Sequence, residues 1–160
     1  MPKFLISETI HSEKVKTVRL GTTAAVYTNK EVGKAVKLAG LDNYVLCSAG
    51  DAIEGIVSSS KFDNEGKVDG YALGGIVDKG YKSVVFDGLQ ASPGTGTIAA
   101  GDFVVAGTVV ALGTALSASL KVVKATDQAV AKAAPFKARV VSLGAAGTGA
   151  VGTVGVIELL

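Results

Sequence analysis

Short apolar runs broken by glycine-bearing turns recur along the chain about every 8 to 12 residues, and this spacing constrains the fold more than any other feature. Runs of that length suit strands and are too short for most helices. The chain has 160 residues, 21 of them glycine, so turn residues are plentiful. The pattern predicts strands over residues 15–20, 24–28, 34–38, 44–47, 53–57, 67–77, 81–86, 103–106, 108–112, 120–124, 137–143 and 151–159. Within 34–38 the alternation of Lys34, Ala35, Val36, Lys37 and Leu38 has the period of a half-buried strand. Turns are predicted at Asp63-Asn64-Glu65-Gly66 and at Asp78-Lys79-Gly80. One segment departs from this pattern: Thr126 and Asp127 stand where they would cap a short helix over 128–134, stopped by Pro135.

The fold class that follows is all-β, a β-sandwich or small β-barrel over residues 15–160 with at most one short helix. Residues 1–14 carry four charges and His11 and read as a flexible N-terminal arm. If the body has two lobes, 89–96 (Leu-Gln-Ala-Ser-Pro-Gly-Thr-Gly) is the best seam. Ser48-Ala49-Gly50-Asp51 and Ala99-Ala100-Gly101-Asp102 form a faint internal echo, each placing a Gly-Asp turn before an apolar strand.

Apolar residues make up 48% of the chain and charged residues 19%, which excludes a disordered polymer. The net charge of +2 gives no support to nucleic acid or an anionic membrane surface as partner. Two 18-residue stretches, 103–120 and 140–157, carry no charge and match the length of a membrane span. The first is interrupted by Gly107, Thr108, Gly113, Thr114, Ser117 and Ser119, the second by five glycines, and no aromatic belt flanks either. Buried strands are expected instead, with no membrane partner. Phe4, Leu5 and Ile6 are too short a run for a signal-peptide core, and the single Cys47 allows no internal disulfide. The expectation is synthesis in a reducing cytosol.

Residue types suited to chemistry are few. Gly147-Thr148-Gly149-Ala150-Val151-Gly152 spells G-x-G-x-x-G, but a phosphate loop must open a helix, and the next residues read as a strand. Gly94-Thr95-Gly96-Thr97-Ile98-Ala99 leads into β structure in the same way. His11 is the only histidine and lies in the arm, so with one Cys it supports neither a metal site nor a nucleophile–base pair. Cys47 reads as a small core residue. Asp51 and Glu54 fall on opposite faces of a strand, which gives no paired-carboxylate site. Asp63, Glu65 and Asp69 resemble a calcium loop without its closing acid. Tyr27, Tyr44, Tyr71 and Tyr81 are scattered singly, as packing residues would be. No catalytic, cofactor or metal residue is predicted, and the chain does not read as an enzyme.

Gly33-Lys34-Ala35-Val36-Lys37-Leu38, the segments 48–57 (Ser-Ala-Gly-Asp-Ala-Ile-Glu-Gly-Ile-Val) and 98–107 (Ile-Ala-Ala-Gly-Asp-Phe-Val-Val-Ala-Gly), and the closing Gly152-Thr153-Val154-Gly155-Val156-Ile157 share a cadence. It resembles that of the small β-rich head-decoration (capsid cement) proteins of tailed bacteriophages, over about residues 30–160. The resemblance implies a β-sandwich or barrel, a homotrimer, and a partner in the major capsid protein, bound on the capsid exterior of the virion after synthesis in the host cytoplasm. It implies no catalytic residues. On that reading the arm contacts the shell or a neighbouring protomer through Lys3, Phe4, Leu5, Ile6, Ile10 and His11, and the 61–69 tip makes a secondary contact. Another phage structural module, such as a head-fibre base or tail element, and a small-ligand-binding β-barrel stay open as alternatives.

Overall fold

The computed structural model describes residues 14–22, 27–40, 43–60, 67–68 and 71–160. The arm over 1–13, with Lys3, Phe4, Leu5, Ile6, Ile10 and His11, and most of the 61–69 tip lie outside the described residues. The chain is all-β. Its strands are β1 (Lys14–Leu20), β2 (Ala35–Leu38), β3 (Asn43–Leu46), β4 (Gly55–Ser60), β5 (Lys67–Val68), β6 (Tyr71–Leu89), β7 (Ser92–Pro93), β8 (Phe103–Ala106), β9 (Leu120–Lys124), β10 (Ala138–Ser142) and β11 (Val154–Leu159). A 3₁₀ turn covers Asn29–Glu31, and one short helix, α1, covers Gln128–Ala133.

The 19-residue strand β6 organises the rest. Its C-terminal half belongs to a closed five-stranded barrel: β6 pairs with β11, β11 with β10, β10 with β8, β8 with β9, and β9 returns to β6 in parallel. Its N-terminal half is flanked by β1 and β4. From there β4 pairs with β2 and β2 with β3, and the sheet curls until β3 meets β1 at Arg19 and Leu20.

Sequence reading put a turn at Asp78-Lys79-Gly80, and the strand instead runs through it. Pairing explains why. β1 accompanies β6 as far as Lys79, and β11 takes over at Gly80. Pairing partners therefore succeed one another along β6, broken only by a bulge that skips Asp78, and Gly80 absorbs the change of direction with a φ of 116°. The crossing between curled sheet and barrel lies here. Residues 89–96 are instead a hairpin that folds β6 back on β7, with Leu89 opposite Ser92.

Other boundaries moved for similar reasons. The predicted strand at 108–112 is part of an irregular segment that leaves the barrel after β8. Tyr27 and Thr28 lead into the 3₁₀ turn rather than ending a strand. β4 starts at Gly55 and β11 at Val154, each later than the apolar run suggested. The helix forms where its cap predicted: Asp127 accepts hydrogen bonds from the Ala129 and Val130 N–H groups.

The barrel is filled. Val84, Phe86, Ile98, Val122, Val140 and Ile157 are fully buried in a cluster that continues across the junction to Ala35, Cys47, Ile53 and Ile56. Leu20, Tyr27, Val36, Val57, Ala72 and Ile76 pack inside the curled sheet. Among the described residues Phe86 is the largest fully buried side chain, and it has room because Gly155 faces it: a Cβ there would collide with its ring. Phe86→Ala should therefore lower the unfolding free energy by about 3–5 kcal/mol in urea titrations. A loss below about 1 kcal/mol would mean that the ring does not fill the barrel.

Candidate functional site at the junction

Residues 107–119 leave the barrel at the end of β8, cross to the 3₁₀ turn beside the curled sheet, and return to start β9. What they meet there is a buried charge pair. Thr28 caps the turn in a capping box: its N–H and hydroxyl both donate to Glu31 Oε2, at 2.5 and 2.7 Å. Glu31 is fully buried. Its Oε1 accepts from the Gly113 N–H at 2.7 Å and from Lys34 Nζ at 3.4 Å. Lys34, itself buried, donates to the Ala111 carbonyl at 2.9 Å. Both charges thus reach the crossing segment through its backbone. Leu116 adds an apolar contact: a Cβ on Gly33 would lie 3.1 Å from its Cδ1.

Beneath the segment is an apolar crevice of about 60 Å³, walled by Ala35, Leu46, Cys47, Ala106, Leu116 and Leu120 among others. Cys47 is buried, and its Sγ approaches the Ala52 carbonyl at 3.6 Å. Burial, with the Asp51 charge second, pushes the Cys47 thiol up to about 12, so it is unreactive while the crevice is covered. Where β6 crosses between the two bodies, buried Asp78 pairs with Lys16, whose pKa is raised by that hydrogen bond, and Asp78 Oδ1 has no hydrogen-bond partner.

A second feature recurs. Gly50, Gly101 and Gly152 have φ of 89°, 88° and 84°, and each stands third in a four-residue turn. The turns are closed by backbone bonds from Asp51 to Ser48, Asp102 to Ala99 and Thr153 to Ala150. Each is then fastened to a strand in the same way. The glycine N–H donates to Ala106, Val140 or Phe86, and that residue's N–H donates back to Asp51, Asp102 or Thr153, all at 2.8–2.9 Å. The Asp51 and Asp102 carboxylates also accept from the Ser48 and Ala99 N–H groups and pair with Lys37 at 2.6 Å and Lys124 at 3.0 Å. The echo seen in the sequence is thus one device used three times. The third copy escaped notice because threonine replaces aspartate.

The remaining sequence candidates have structural places. Glu54 accepts from the Leu38 N–H, so neither it nor Asp51 stands in a carboxylate pair. Gly147 to Gly152 lead through a turn into β11, not a helix. The Tyr27 hydroxyl accepts from the Leu46 N–H inside the curled sheet. Among the described residues no group of three His, Cys, Asp or Glu could hold a metal ion, and no helix is long and apolar enough to cross a membrane. On the outer barrel wall, Val85 and Val154 are paired across strands, next to Ser83 with Val156 and Tyr81 with Glu158. Val154 and Tyr81 are exposed, and Arg139 pairs with Glu158 at 2.8 Å.

Glu31 and Lys34 were not singled out by sequence reading. The signal was present: Thr28-Asn29-Lys30-Glu31 fits the capping-box pattern. Compared with known proteins, the chain matches no family model, no curated protein and no solved structure.

Burial alone would raise the pKa of Glu31, but the hydrogen bonds from Thr28 and Gly113 and the Lys34 charge outweigh it and hold the carboxyl below its usual range. Its stabilising contribution is therefore complete above the unfolded-state value, about 4.3, and is lost as pH falls through the lower folded-state value. Glu31→Gln should cost about 3–5 kcal/mol at neutral pH, because Lys34 is left buried without its partner, and the deficit should shrink in acid. Urea titrations at pH 7 and pH 3 test this. An equal deficit at both would mean that the charge of Glu31 is not what stabilises the junction.

Proposed function

We propose that the protein is a structural virion component of the head-decoration type, which binds the outer surface of an assembled phage capsid and stabilises it. The observation that most supports this reading is the threefold use of one turn. Segments 48–57 and 98–107, which carry the resemblance to cement proteins, each contain such a glycine turn fastened to a neighbouring strand by a pair of backbone bonds, and the third turn, 150–153, leads into the closing segment 152–157. The shared cadence thus corresponds to a repeated structural device. A barrel filled by Phe86 and its neighbours argues against the small-ligand alternative, since its interior is occupied by side chains.

Cement acts by mass action. A protein that binds only the assembled lattice stabilises that lattice in proportion to its occupancy. Trimeric association would present three copies of each contact and gain avidity from effective concentration. In this reading the arm, with Lys3, Phe4, Leu5, Ile6, Ile10 and His11, reaches the major capsid protein or a neighbouring protomer, and the outer barrel wall around Val85 and Val154 offers a further face for contact.

The test is co-sedimentation with shells assembled from the major capsid protein of the same genome. Saturable binding at a fixed ratio to shell subunits is expected, with none to unassembled subunits. Deleting residues 2–12 should weaken binding on the order of 10²-fold while leaving the unfolding transition in place. Failure of the intact protein to bind shells across a wide salt range would overturn the decoration reading.

A further inference from the structure

The segment over 107–119 is fixed at its ends and lightly held between them. At one end the Gly107 N–H donates to the Lys121 carbonyl at 2.9 Å, and the Thr108 hydroxyl donates to Asp87 at 2.5 Å. At the other, Leu120 enters β9. The middle carries no ladder of regular hydrogen bonds. Its polar ties to the body are those of Ala111 and Gly113 to the buried Lys34–Glu31 pair, and Leu116, with Val109, Val110 and Ala118 along the crevice, supplies its apolar contact. Ala111 to Ala115 are exposed, Leu112 among them at 41%. Within the segment the Thr114 N–H donates to the Ala111 carbonyl around Gly113, whose φ is 80°, so the tip keeps its own turn whether or not it touches the body.

We propose that residues 107–119 form a strap that opens and closes as a unit on the folded body, latched by Glu31 and Lys34, and that opening uncovers the apolar crevice holding Cys47. The energetics favour this mode. Opening breaks a few hydrogen bonds and exposes a small apolar area, while it returns two buried charges to water and so recovers their desolvation cost. The barrel and curled-sheet cores lose nothing else, because their closing strands do not run through the strap. A local opening well below the global unfolding free energy is the consequence. A buried ion pair suits a latch better than an apolar plug of the same size, since it holds one defined geometry and releases reversibly. This inference does not depend on the decoration reading.

Cys47 is the chain's only cysteine and lies under the strap, so its alkylation reports opening at one site. The experiment follows N-ethylmaleimide modification of the full chain by mass spectrometry at about pH 8, over urea concentrations below the unfolding transition, beside the unfolded chain as reference. Wild-type modification is expected to be slow but nearly independent of urea, as a local opening requires. Glu31→Gln should accelerate it roughly tenfold or more with the same flat urea dependence. Leu116→Ala leaves the charge pair intact and should accelerate it several-fold, so the outcome does not rest on one variant. Modification that rises with urea at the slope of global unfolding, in all three proteins, would overturn the strap.

Discussion

The continuity of β6 is the constraint on which the rest of the structure depends. One strand of 19 residues supplies a wall to the barrel and a central strand to the curled sheet, so neither body can complete its hydrogen bonding without the other. Its partner changes from β1 to β11 between Lys79 and Gly80, directly after a bulge that skips Asp78. The largest apolar cluster spans the same junction, running from Ile53 and Ile56 to Phe86 and Ile157. Small residues keep this packing open at its tightest points, as Gly155 does against Phe86.

The second join between the two bodies is polar, and it behaves differently. Apolar burial along β6 is non-directional and hard to reverse, whereas the Glu31–Lys34 pair holds the crossing segment by geometry. The carboxylate collects four donors, from Thr28 twice, Gly113 and Lys34. Such satisfaction is what allows a full charge to be buried at all. One junction is permanent and the other is built to be broken.

Much of the fold was legible because local signals and tertiary packing agree. The strand at 35–38, the Asp127 cap and the all-β class all survive in the structure, but β2 does not alternate: Ala35 and Val36 are both buried, one in each core cluster, and Leu38 is exposed. Sequence failed where pairing overrode local preference. Asp78-Lys79-Gly80 has the composition of a turn, yet strands on its flank hold it extended. The apolar run 108–112 lacks a partner strand and became part of the strap instead. The charge pair was hidden for another reason: Lys34 sits in an alternating pattern that puts Lys37 toward solvent, and nothing in that pattern says that Ala111 and Gly113, some 80 residues on, will meet it. The arm residues that sequence reading nominated for contact are outside the described residues, so the reading of their role stands on the resemblance alone.

Amide hydrogen exchange along β6 tests the shared-strand architecture most directly. If one strand binds barrel and sheet into a single cooperative unit, the amides of Ala72 and Ile76 in the curled sheet and of Val84 and Phe86 in the barrel will exchange only through global unfolding, at one common free energy and with one denaturant slope. Exchange of Ala72 and Ile76 through an opening that leaves Val84 and Phe86 protected would contradict it, and would mean that two independent bodies merely share a stretch of chain.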